Sequence, residues 1–445
     1  MTPHHTHSSR ARMLVFIAWR NLWRNRFRTG LSIAAFGMAL SMMIAYGVFI
    51  AGEMKQMRGY ATDLVLGHIQ LHREGYVKDQ DIYAQIPQGL VKEVRDHLPP
   101  GVALAPRTYG FAMGSLGSLS TGVMLRGISP EEEARVTKIG SRLKSGGFDL
   151  SKPVPPRPGA EAVSPRIPVH PVLIGHQLAR TLHAQVGDTI TLVSQSLDGS
   201  IGRGLYRVNG VLSPIEITLD RMGVVMTIET FQELMIMEDG VHELVFSTPD
   251  SSHTGPLVRQ IQQQANQWAG THALSPFGGQ VTVRSWETIN PTLAQTVNMA
   301  GTITVIVSLL FFSIAGIGLL NTLLMSVFER KKEFGILLAL GMGRGWLVAM
   351  VFLESIFLTL GAALPGTALG VYWGYLLETY GWDFSAYLPD GLDFMGIVFE
   401  PVLYGHMTLF SVLTPLTALF AITLLATLVP AWRLIRFQPV EVMGG

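Results

Sequence analysis

Four long apolar runs without a charged residue divide this sequence into membrane-like and polar segments. They are Thr29–Gly52, Thr288–Phe328, Ser355–Leu377 and Pro401–Trp432. Each exceeds the roughly 18 residues that indicate a membrane-spanning helix. We therefore predict a membrane protein with four spans, at residues 29–52, 288–328, 346–376 and 406–430. The composition agrees, since 48% of the residues are hydrophobic and only 15% are charged.

The second run is longer than a membrane span requires. A helix over Val297–Phe328 alone would measure about 48 Å at 1.5 Å per residue, whereas the hydrocarbon core of a bilayer is about 30 Å thick. We therefore expect residues 288–328 to contain both a span and a stalk that projects from the membrane.

The basic residues of the membrane part indicate its orientation. They are Arg10, Arg12, Arg20, Arg24, Arg26, Arg28, Arg330, Lys331, Lys332, Arg344, Arg433 and Arg436. All precede the first span, lie between the second and third, or follow the fourth, while the segment between the third and fourth spans is acidic. Because basic segments stay in the cytoplasm, we predict a plasma (inner) membrane protein with both termini cytoplasmic. Residues 53–287 and the loop 377–405 then face outward.

The remaining segments before and after the spans are short. Residues 1–11 are polar and predict a disordered leader, and residues 431–445 predict a cytoplasmic tail. In residues 12–28, Arg20, Arg24 and Arg28 recur at intervals of four beside several aromatic side chains. This pattern predicts an amphipathic helix that lies in the headgroup layer.

The long outward segment, residues 53–287, alternates strand and helix patterns and predicts an α+β domain. Predicted strands are Asp63–His72, a stretch around Val211, and Val224–Ile228. Predicted helices are Gln88–Leu98, Glu229–Met237 and Pro256–Trp268. The chain contains no cysteine, so this domain folds without disulfides.

A proline-rich segment, SKPVPPRPGAEAVSPRIPVHP, interrupts the outward domain and carries prolines from Pro153 to Pro171. Proline disfavours helix interiors and central strands, so we predict an extended surface loop over residues 153–171. Its sequence is compatible with binding a partner or with a purely structural connection.

Motifs for independent catalysis are missing from the sequence. It contains no P-loop for ATP, no zinc-protease motif and no Gly-x-Ser-x-Gly nucleophile motif. No metal site is predicted, because His4, His5 and His7 of the leader have no further ligands near them in sequence. A formal net charge of +1 gives no indication of a nucleic-acid partner. Glu354, in the third span, is expected to form an interfacial cap or to pair with a basic residue rather than to relay ions.

The second span ends in the charged sequence Glu329–Glu333, followed by a short apolar segment with Gly341, Gly343 and Gly345. A charged, interrupted helix does not remain in lipid. From these residues alone, a stop-transfer cluster and a protein-docking helix explain residues 329–345 equally well.

Four stretches together resemble the FtsX/MacB/LolC-LolE family of ABC transporter permeases. They are IAWRNLWRNRFRTGLS before the first span, VLIGHQLARTLHAQVGDTITLVS in the outward domain, LLNTLLMSVFERKKEFGILLALGMGRGW after the second span, and LVPAWRLIRFQPVEVM at the end. The resemblance follows nearly the whole chain, in order and with the same arrangement of spans.

This resemblance implies that residues 329–345 form a coupling helix that docks on a separate ATPase. The residues that would make this contact are Glu329, Arg330, Lys331, Lys332, Glu333, Phe334, Leu337 and Leu340. ATP and Mg²⁺ would be bound by the partner ATPase dimer, and this chain would be a non-catalytic subunit without a cofactor of its own. A second permease copy or a paralogue would complete the dimer.

The size of the outward domain distinguishes the branches of the family. FtsX-type regulators usually have a much smaller domain, and MacB-type efflux permeases normally carry their ATPase on the same chain. GHIQLHREGY, Gly67–Tyr76, is similar to the start of this domain in LolC/LolE-like proteins. The resemblance therefore implies ATP-driven extraction of lipoproteins and their transfer to a periplasmic carrier. A MacB-like mechanotransmission permease for efflux or envelope signalling is the alternative.

Lipoprotein extraction requires an apolar cavity for acyl chains. Candidate lining residues are Met38, Met42, Met43, Tyr46 and Phe49 in the first span and Met299, Ile303 and Ile306 in the second. Flexible methionine side chains suit an irregular lipid ligand, but ordinary packing between helices explains the same methionines.

Overall fold

The structure is a computed structural model that describes residues 5–158, 166–249, 254–272, 280–388, 392–394 and 397–436. The chain divides into two compact units. The membrane unit contains Met1–Lys55, Asn298–Asp383 and Val402–Gly445, and the outer unit contains Gln56–Val297 and Phe384–Pro401. Each unit has its own hydrophobic clusters.

Helices occur in both units. They are α1 His5–Leu22, α2 Arg26–Tyr60, α3 Tyr76–Asp79, α4 Gln88–Asp96, α5 Pro130–Val136, α6 His176–Leu182, α7 Ile217–Met222, α8 Ile228–Met235, α9 Thr254–Thr271, α10 Trp286–Ile289, α11 Pro291–Glu329, α12 Lys331–Ala339, α13 Arg344–Tyr380 and α14 Leu409–Ile435. Short 3₁₀ turns form at Trp23–Asn25 and Ile139–Ser141, and a π-helical turn at Ala61–Leu66.

Strands belong mainly to the outer unit. They are β1 Ile69–Arg73, β2 Ala103–Leu116, β3 Leu119–Ile128, β4 Leu143–Gly146, β5 Val169–Gly175, β6 Thr189–Gln195, β7 Ile201–Leu212, β8 Gly223–Thr227, β9 Glu243–Ser247 and β10 Val281–Ser285. Four shorter strands follow α13: β11 Trp382–Asp383, β12 Leu392–Phe394, β13 Ile397–Phe399 and β14 Val402–Leu403.

Four helical segments of the described chain are long and apolar enough to cross a membrane: Arg12–Leu66, Pro291–Glu329, Arg344–Tyr380 and Leu409–Ile435. They correspond to the four predicted spans. Helix α11 has 39 residues, or about 58 Å at 1.5 Å per residue. The helix is therefore much longer than the hydrocarbon core of a bilayer, which is about 30 Å thick. The excess length is what the predicted stalk requires.

The start of the chain differs from the prediction. Helix α1 already begins at His5, so the disorder predicted for the leader is wrong from that residue onward; residues 1–4 lie outside the described part. The predicted interfacial helix 12–28 is interrupted by the 3₁₀ turn, and the following helix continues to Tyr60 instead of ending at residue 52. At the other end, α14 extends the fourth span to Ile435, and residues 437–445 of the predicted tail are not described.

Close contact between α2 and α13 defines the centre of the membrane unit. Gly366 and Gly370 of α13 face Gly37, Ser41 and Ile44 of α2. A Cβ atom added to Gly366 would lie 2.7 Å from the carbonyl oxygen of Gly37, and one added to Gly370 would lie 2.8 Å from Cβ of Ile44. Small residues four apart allow two helix backbones to approach closely in a membrane, and here they fix the α2–α13 pair.

The outer unit is built on a ten-stranded mixed sheet. Strands β2, β3, β8, β5, β7 and β6 pair in that order, and β6 pairs again with β2, so their pairings form a closed circuit. Residues of this circuit and of α6 and α8 bury one hydrophobic cluster. The remaining path β10-β1-β9-β2 carries α4 and α9, which bury a second cluster. The predicted α+β architecture is therefore observed.

Two details of the outer unit depart from the predictions. Asp63–Leu66 belong to the π-helical turn rather than to a strand. Pro171 lies inside β5, so the extended loop ends before it. The pairing of β5 with β7 shifts register between Val172 and Leu173, directly after this proline, and bulges are among the places in a sheet where proline is tolerated. Residues 159–165 of the predicted loop lie outside the described residues.

The loop between the third and fourth spans contributes to the outer unit. Residues Phe384–Pro401 are part of that unit, although the sequence predicted a separate loop over residues 377–405. The backbone N–H of Val398 donates to the carbonyl of Ile215 at 2.9 Å, and Arg142 forms an ion pair with Glu400. The outer unit is thus assembled from two stretches of the chain.

Candidate functional site

The charged segment after α11 forms a short helix with a defined end. Helix α12 occupies Lys331–Ala339, within the predicted coupling segment 329–345. After it, the backbone N–H of Met342 donates to the carbonyl of Leu337 at 3.0 Å, and Gly341 has a φ of 89°. A left-handed residue in this position is typical of a helix C-terminus and favours glycine. Gly341 therefore separates α12 from α13.

Arg330, immediately before α12, contacts side chains of both α12 and α13. Its Nη1 donates to Oε1 of Glu354 at 2.5 Å, and its Nε donates to Oε2 of Glu333 at 3.0 Å. Its guanidinium carbon lies 4.9 Å from the centre of the Phe334 ring. Arg330 and Glu354 are each only 5% exposed. The prediction that Glu354 pairs with a basic residue is confirmed.

Ion pairs also connect the segment to the N-terminal helices. Arg24 Nη1 donates to Glu333 Oε1 at 2.6 Å, and Arg28 Nη1 lies 3.1 Å from Glu329 Oε1. Hydrogen bonds from Arg330 and Arg24 lower the pKa of Glu333, although partial desolvation opposes them. Together, these contacts hold α12 against the membrane unit through side chains of opposite charge.

Apolar packing supports the same arrangement. Phe334 is buried with Leu14 and Ala18 of α1, Val327 of α11 and Leu347 of α13. In addition, Asn21 Nδ2 donates to Glu354 Oε1 at 2.8 Å. Helices α1, α11, α12 and α13 therefore meet around one buried ion pair and one buried phenylalanine.

A different face of α12 is exposed. Lys332, Ile336 and Leu340 recur at intervals of four and are all exposed, Leu340 at 79%. Lys331 is also exposed, and Leu337 is half-buried. The structure thus divides the predicted docking residues: Arg330 and Phe334 face inward, Glu329 and Glu333 form ion pairs within the chain, and the helix face presents Lys332, Ile336 and Leu340.

The predicted cavity residues are divided in a similar way. Met38 and Met42 of α2 and Met299, Ile303 and Ile306 of α11 are exposed. Met43 is only 1% exposed and belongs to the central cluster of the membrane unit. Tyr46, partly buried, packs against the same cluster, and Phe49 is also partly buried, with its ring 6.1 Å from that of Trp382. Met43 is therefore a packing residue in this structure.

Sequence reasoning did not identify Arg24 and Arg28 as partners of the coupling segment. They lie some 300 residues away along the chain, and their spacing predicted only a membrane-surface helix. Among the described residues, no group of three or more His, Asp or Glu side chains has the arrangement of a metal site.

Two sequence families match this chain. The family described as FtsX-like permease C-terminal matches residues 305–439, and the family described as MacB-like periplasmic core domain matches residues 29–264. The second match alone covers more than half of the chain. With four membrane helices and an α+β outer unit, the protein belongs to the FtsX-like ABC transporter permeases that carry a MacB-like periplasmic core domain.

Relatives extend this similarity over the remaining residues. The chain is 25% identical to the lipoprotein-releasing system transmembrane protein LolC of Xylella fastidiosa, over 72% of each chain. It is 21% identical to the lipoprotein-releasing system transmembrane protein LolE of Haemophilus influenzae, over 97% of this chain and 99% of the relative. It is also 24% identical to the macrolide export ATP-binding/permease protein MacB 2 of Aeromonas hydrophila, over 47% of this chain and 28% of the relative. The protein is an inner-membrane ABC permease of the Lol/MacB type with a periplasmic domain.

Proposed function

We propose that this chain is the permease subunit of an ATP-driven complex that extracts lipoproteins from the outer leaflet of the inner membrane and passes them to a periplasmic carrier. The observation that carries this proposal is the similarity to LolE, which covers 97% of this chain and 99% of the relative. The match to MacB 2 covers less than half of this chain. The proposal assigns ATP and Mg²⁺ to a separate ATPase dimer, because this chain contains no P-loop.

The proposed topology follows from the charges. Arg24, Arg28 and Arg330 would be cytoplasmic, as would both termini, since basic segments are retained on that side. The outer unit, including Phe384–Pro401, would be periplasmic. Helix α12 would then lie on the side of the membrane where an ATPase binds ATP.

Lipoprotein extraction has a high energetic cost without an apolar path. Moving three acyl chains into water, at about 0.8 kcal/mol per methylene and roughly 15 methylenes per chain, would cost on the order of 35 kcal/mol. A permease that performs this step must therefore shield the chains. The exposed side chains of Met38 and Met42 on α2, and of Met299, Ile303 and Ile306 on α11, form the apolar surface that we assign to this role. A second permease copy or a paralogue would close the cavity.

The exposed face of α12 is the proposed contact with the ATPase. A few residues near the centre of a protein interface carry most of the binding energy, and loss of such a residue costs about 2 kcal/mol or more. Because Leu340 and Ile336 stand beside Lys332, they supply an apolar contact next to a positive charge. ATP-driven movement of α12 would reach α1 and α13 through the Arg330–Glu354 pair, and the periplasmic side through the long helix α11.

The test is ATP-dependent release of a triacylated lipoprotein to a soluble carrier, from nanodiscs that contain the permease and its cognate ATPase. We expect release by the wild-type complex. We expect L340D to weaken ATPase binding by about 30-fold or more, since a loss of 2 kcal/mol corresponds to that factor, and to abolish release.

The matched control is I201D, which makes the same kind of change at an exposed residue of the outer unit and should leave ATPase binding intact. ATP turnover by the wild-type complex without release, under conditions in which a known releasing system works, would contradict the proposal. It would favour the second candidate, a mechanotransmission permease for efflux or envelope signalling, which the match to a MacB-like periplasmic core domain supports.

A further inference from the structure

A stripe of exposed aromatic side chains runs along the N-terminal helices. The stripe consists of Phe16, Trp19, Trp23 and Phe27, which follow one another at intervals of three or four residues and are between 49% and 84% exposed. The Trp19 ring lies 5.9 Å from that of Trp23 and 5.6 Å from that of Phe357. Because Phe357 belongs to the membrane-spanning helix α13, this aromatic stripe lies beside the membrane helices, where tryptophan is typically found at the level of the lipid headgroups.

The same part of the chain carries positive charge without an internal counter-charge. Residues 1–52 contain no Asp or Glu. Arg12, Arg20 and Arg26 are exposed and form no ion pair with any of the residues that the structure describes. An apolar stripe with unpaired arginines on the same helices fits a partner that is both apolar and anionic.

Arg20 and Arg24 lie next to the aromatic stripe and next to each other. They directly follow Trp19 and Trp23, so each arginine is rotated by only about 100–120° around the helix from a tryptophan. Being four residues apart, the two arginines are neighbours on the helix surface. One phosphate group can therefore contact both guanidinium groups.

Arg24 is engaged, but only by an exposed ion pair. Its partner is Glu333, and the two side chains are 51% and 49% exposed. Exposed ion pairs contribute little to stability. Glu333 also accepts a hydrogen bond from Nε of Arg330 at 3.0 Å. A competing anion can therefore take Arg24 and leave Glu333 with its second arginine.

A phospholipid with a net negative charge satisfies both features of this surface. Its phosphate forms charge-assisted hydrogen bonds with guanidinium groups, and its acyl chains cover the aromatic stripe. Each arginine near an anionic membrane surface strengthens binding by about fivefold. A soluble anion would leave the aromatic stripe exposed, and a lipid without net charge would leave the arginines without a counter-charge.

We propose that Arg20, Arg24 and the aromatic stripe bind an anionic phospholipid, whose phosphate competes with Glu333 for Arg24. The bound lipid thereby removes one of the ion pairs that hold α12 against the N-terminal helices. This binding goes beyond the proposed function, since it requires neither ATP nor the ATPase.

The test is native mass spectrometry of the detergent-solubilised full-length permease, titrated with dimyristoylphosphatidylglycerol. Dimyristoylphosphatidylcholine, with the same acyl chains and no net charge, is the comparison lipid. We expect the first phosphatidylglycerol to bind at least tenfold more tightly than the first phosphatidylcholine. R20Q/R24Q should weaken phosphatidylglycerol binding at least tenfold, because two charges worth about fivefold each are lost, and should leave phosphatidylcholine binding unchanged.

The variant E333Q tests the competition from the opposite side. It removes the carboxylate that competes for Arg24, so phosphatidylglycerol should bind more tightly, by up to about fivefold. Phosphatidylcholine binding should not change. If Glu333 served only to hold the structure together, its loss would leave lipid binding unchanged or weaken it.

Two control variants separate charge at this site from other effects. R20K/R24K keeps both charges and should bind phosphatidylglycerol within threefold of the wild type. R433Q removes an exposed arginine from α14 and should bind within twofold of the wild type. Glycerol 3-phosphate at millimolar concentration should not displace the lipid, because it cannot cover the aromatic stripe.

Several results would overturn the proposal. Equal affinity for the two lipids, or wild-type affinity of R20Q/R24Q for phosphatidylglycerol, would exclude the site. Displacement by glycerol 3-phosphate would exclude a lipid as the specific ligand. Unchanged or weaker binding by E333Q would exclude the competition for Arg24. None of these outcomes depends on the ATPase or on lipoprotein release.

Discussion

Replacement of Arg330 by methionine is expected to lower the free energy of unfolding of the purified permease by about 3–5 kcal/mol. The reason is that Glu354, only 5% exposed, would lose the guanidinium 2.5 Å from its carboxylate. The hydrogen bond from Asn21 would remain but carries no positive charge. The measurement is thermal or denaturant unfolding of the detergent-solubilised protein.

The double variant R330M/E354L shows whether the loss of stability comes from the missing ion pair itself or from leaving Glu354 buried without its partner. It removes both buried charges and keeps similar side-chain volume, so its stability should lie much closer to that of the wild type. The control R24Q disrupts the ion pair between Arg24 and Glu333. Both side chains are about half exposed, so this change should lower the free energy of unfolding by at most about 1 kcal/mol. If R330M were no less stable than R24Q, Arg330 would not be the central connection of the coupling segment.

Replacement of Gly366 by leucine is expected to prevent normal packing of α13 against α2. Even a Cβ atom would lie 2.7 Å from the carbonyl oxygen of Gly37 and 2.9 Å from its Cα, and backbone atoms cannot move aside as a flexible side chain can. Overpacking typically costs about 1–3 kcal/mol and sometimes more. We expect G366A to be in this range and G366L to yield little folded protein, measured by size-exclusion chromatography and thermal unfolding.

The matched controls are G318A and G318L in α11. Gly318 is exposed and a Cβ atom there would have no neighbour within 4 Å, so alanine meets no obstacle and leucine should be tolerated far better than at Gly366. G318A should even be neutral or slightly stabilising, because alanine favours helix more than glycine does. Equal effects at the two positions would show that the close α2–α13 approach does not determine the packing of the membrane unit.

The sequence was sufficient to predict the four spans, because uncharged apolar length is a direct physical requirement of the bilayer. It also located the charged segment 329–333. It did not reveal which charges pair. The ion pairs Arg24–Glu333 and Arg330–Glu354 depend on how α1 and α13 pack in the folded chain. For the same reason, exposed Met42 and buried Met43 were indistinguishable: both are methionines in one apolar helix.

The outer unit shows a second limit of sequence reasoning. Local patterns identified α4, α8 and α9, where apolar residues recur with the helical period. The closed circuit from β2 through β6 depends on pairings between distant strands, such as Met113 with Val193.

We propose that the acyl chains of a lipoprotein pass along this permease, and site-specific photo-crosslinking is the experiment that tests this path. A photoreactive residue would be placed at Met42, at Met43 or at Leu364, in nanodiscs with the ATPase and a lipoprotein labelled only in its acyl chains. Met42 is 62% exposed and Leu364 is 74% exposed, so Leu364 controls for incidental contact with lipid, whereas Met43 is 1% exposed. We expect strong labelling at position 42 that decreases when ATP drives release, with weak labelling at positions 364 and 43. Labelling at 42 no stronger than at 364, or crosslinks from 42 only to protein, would contradict it.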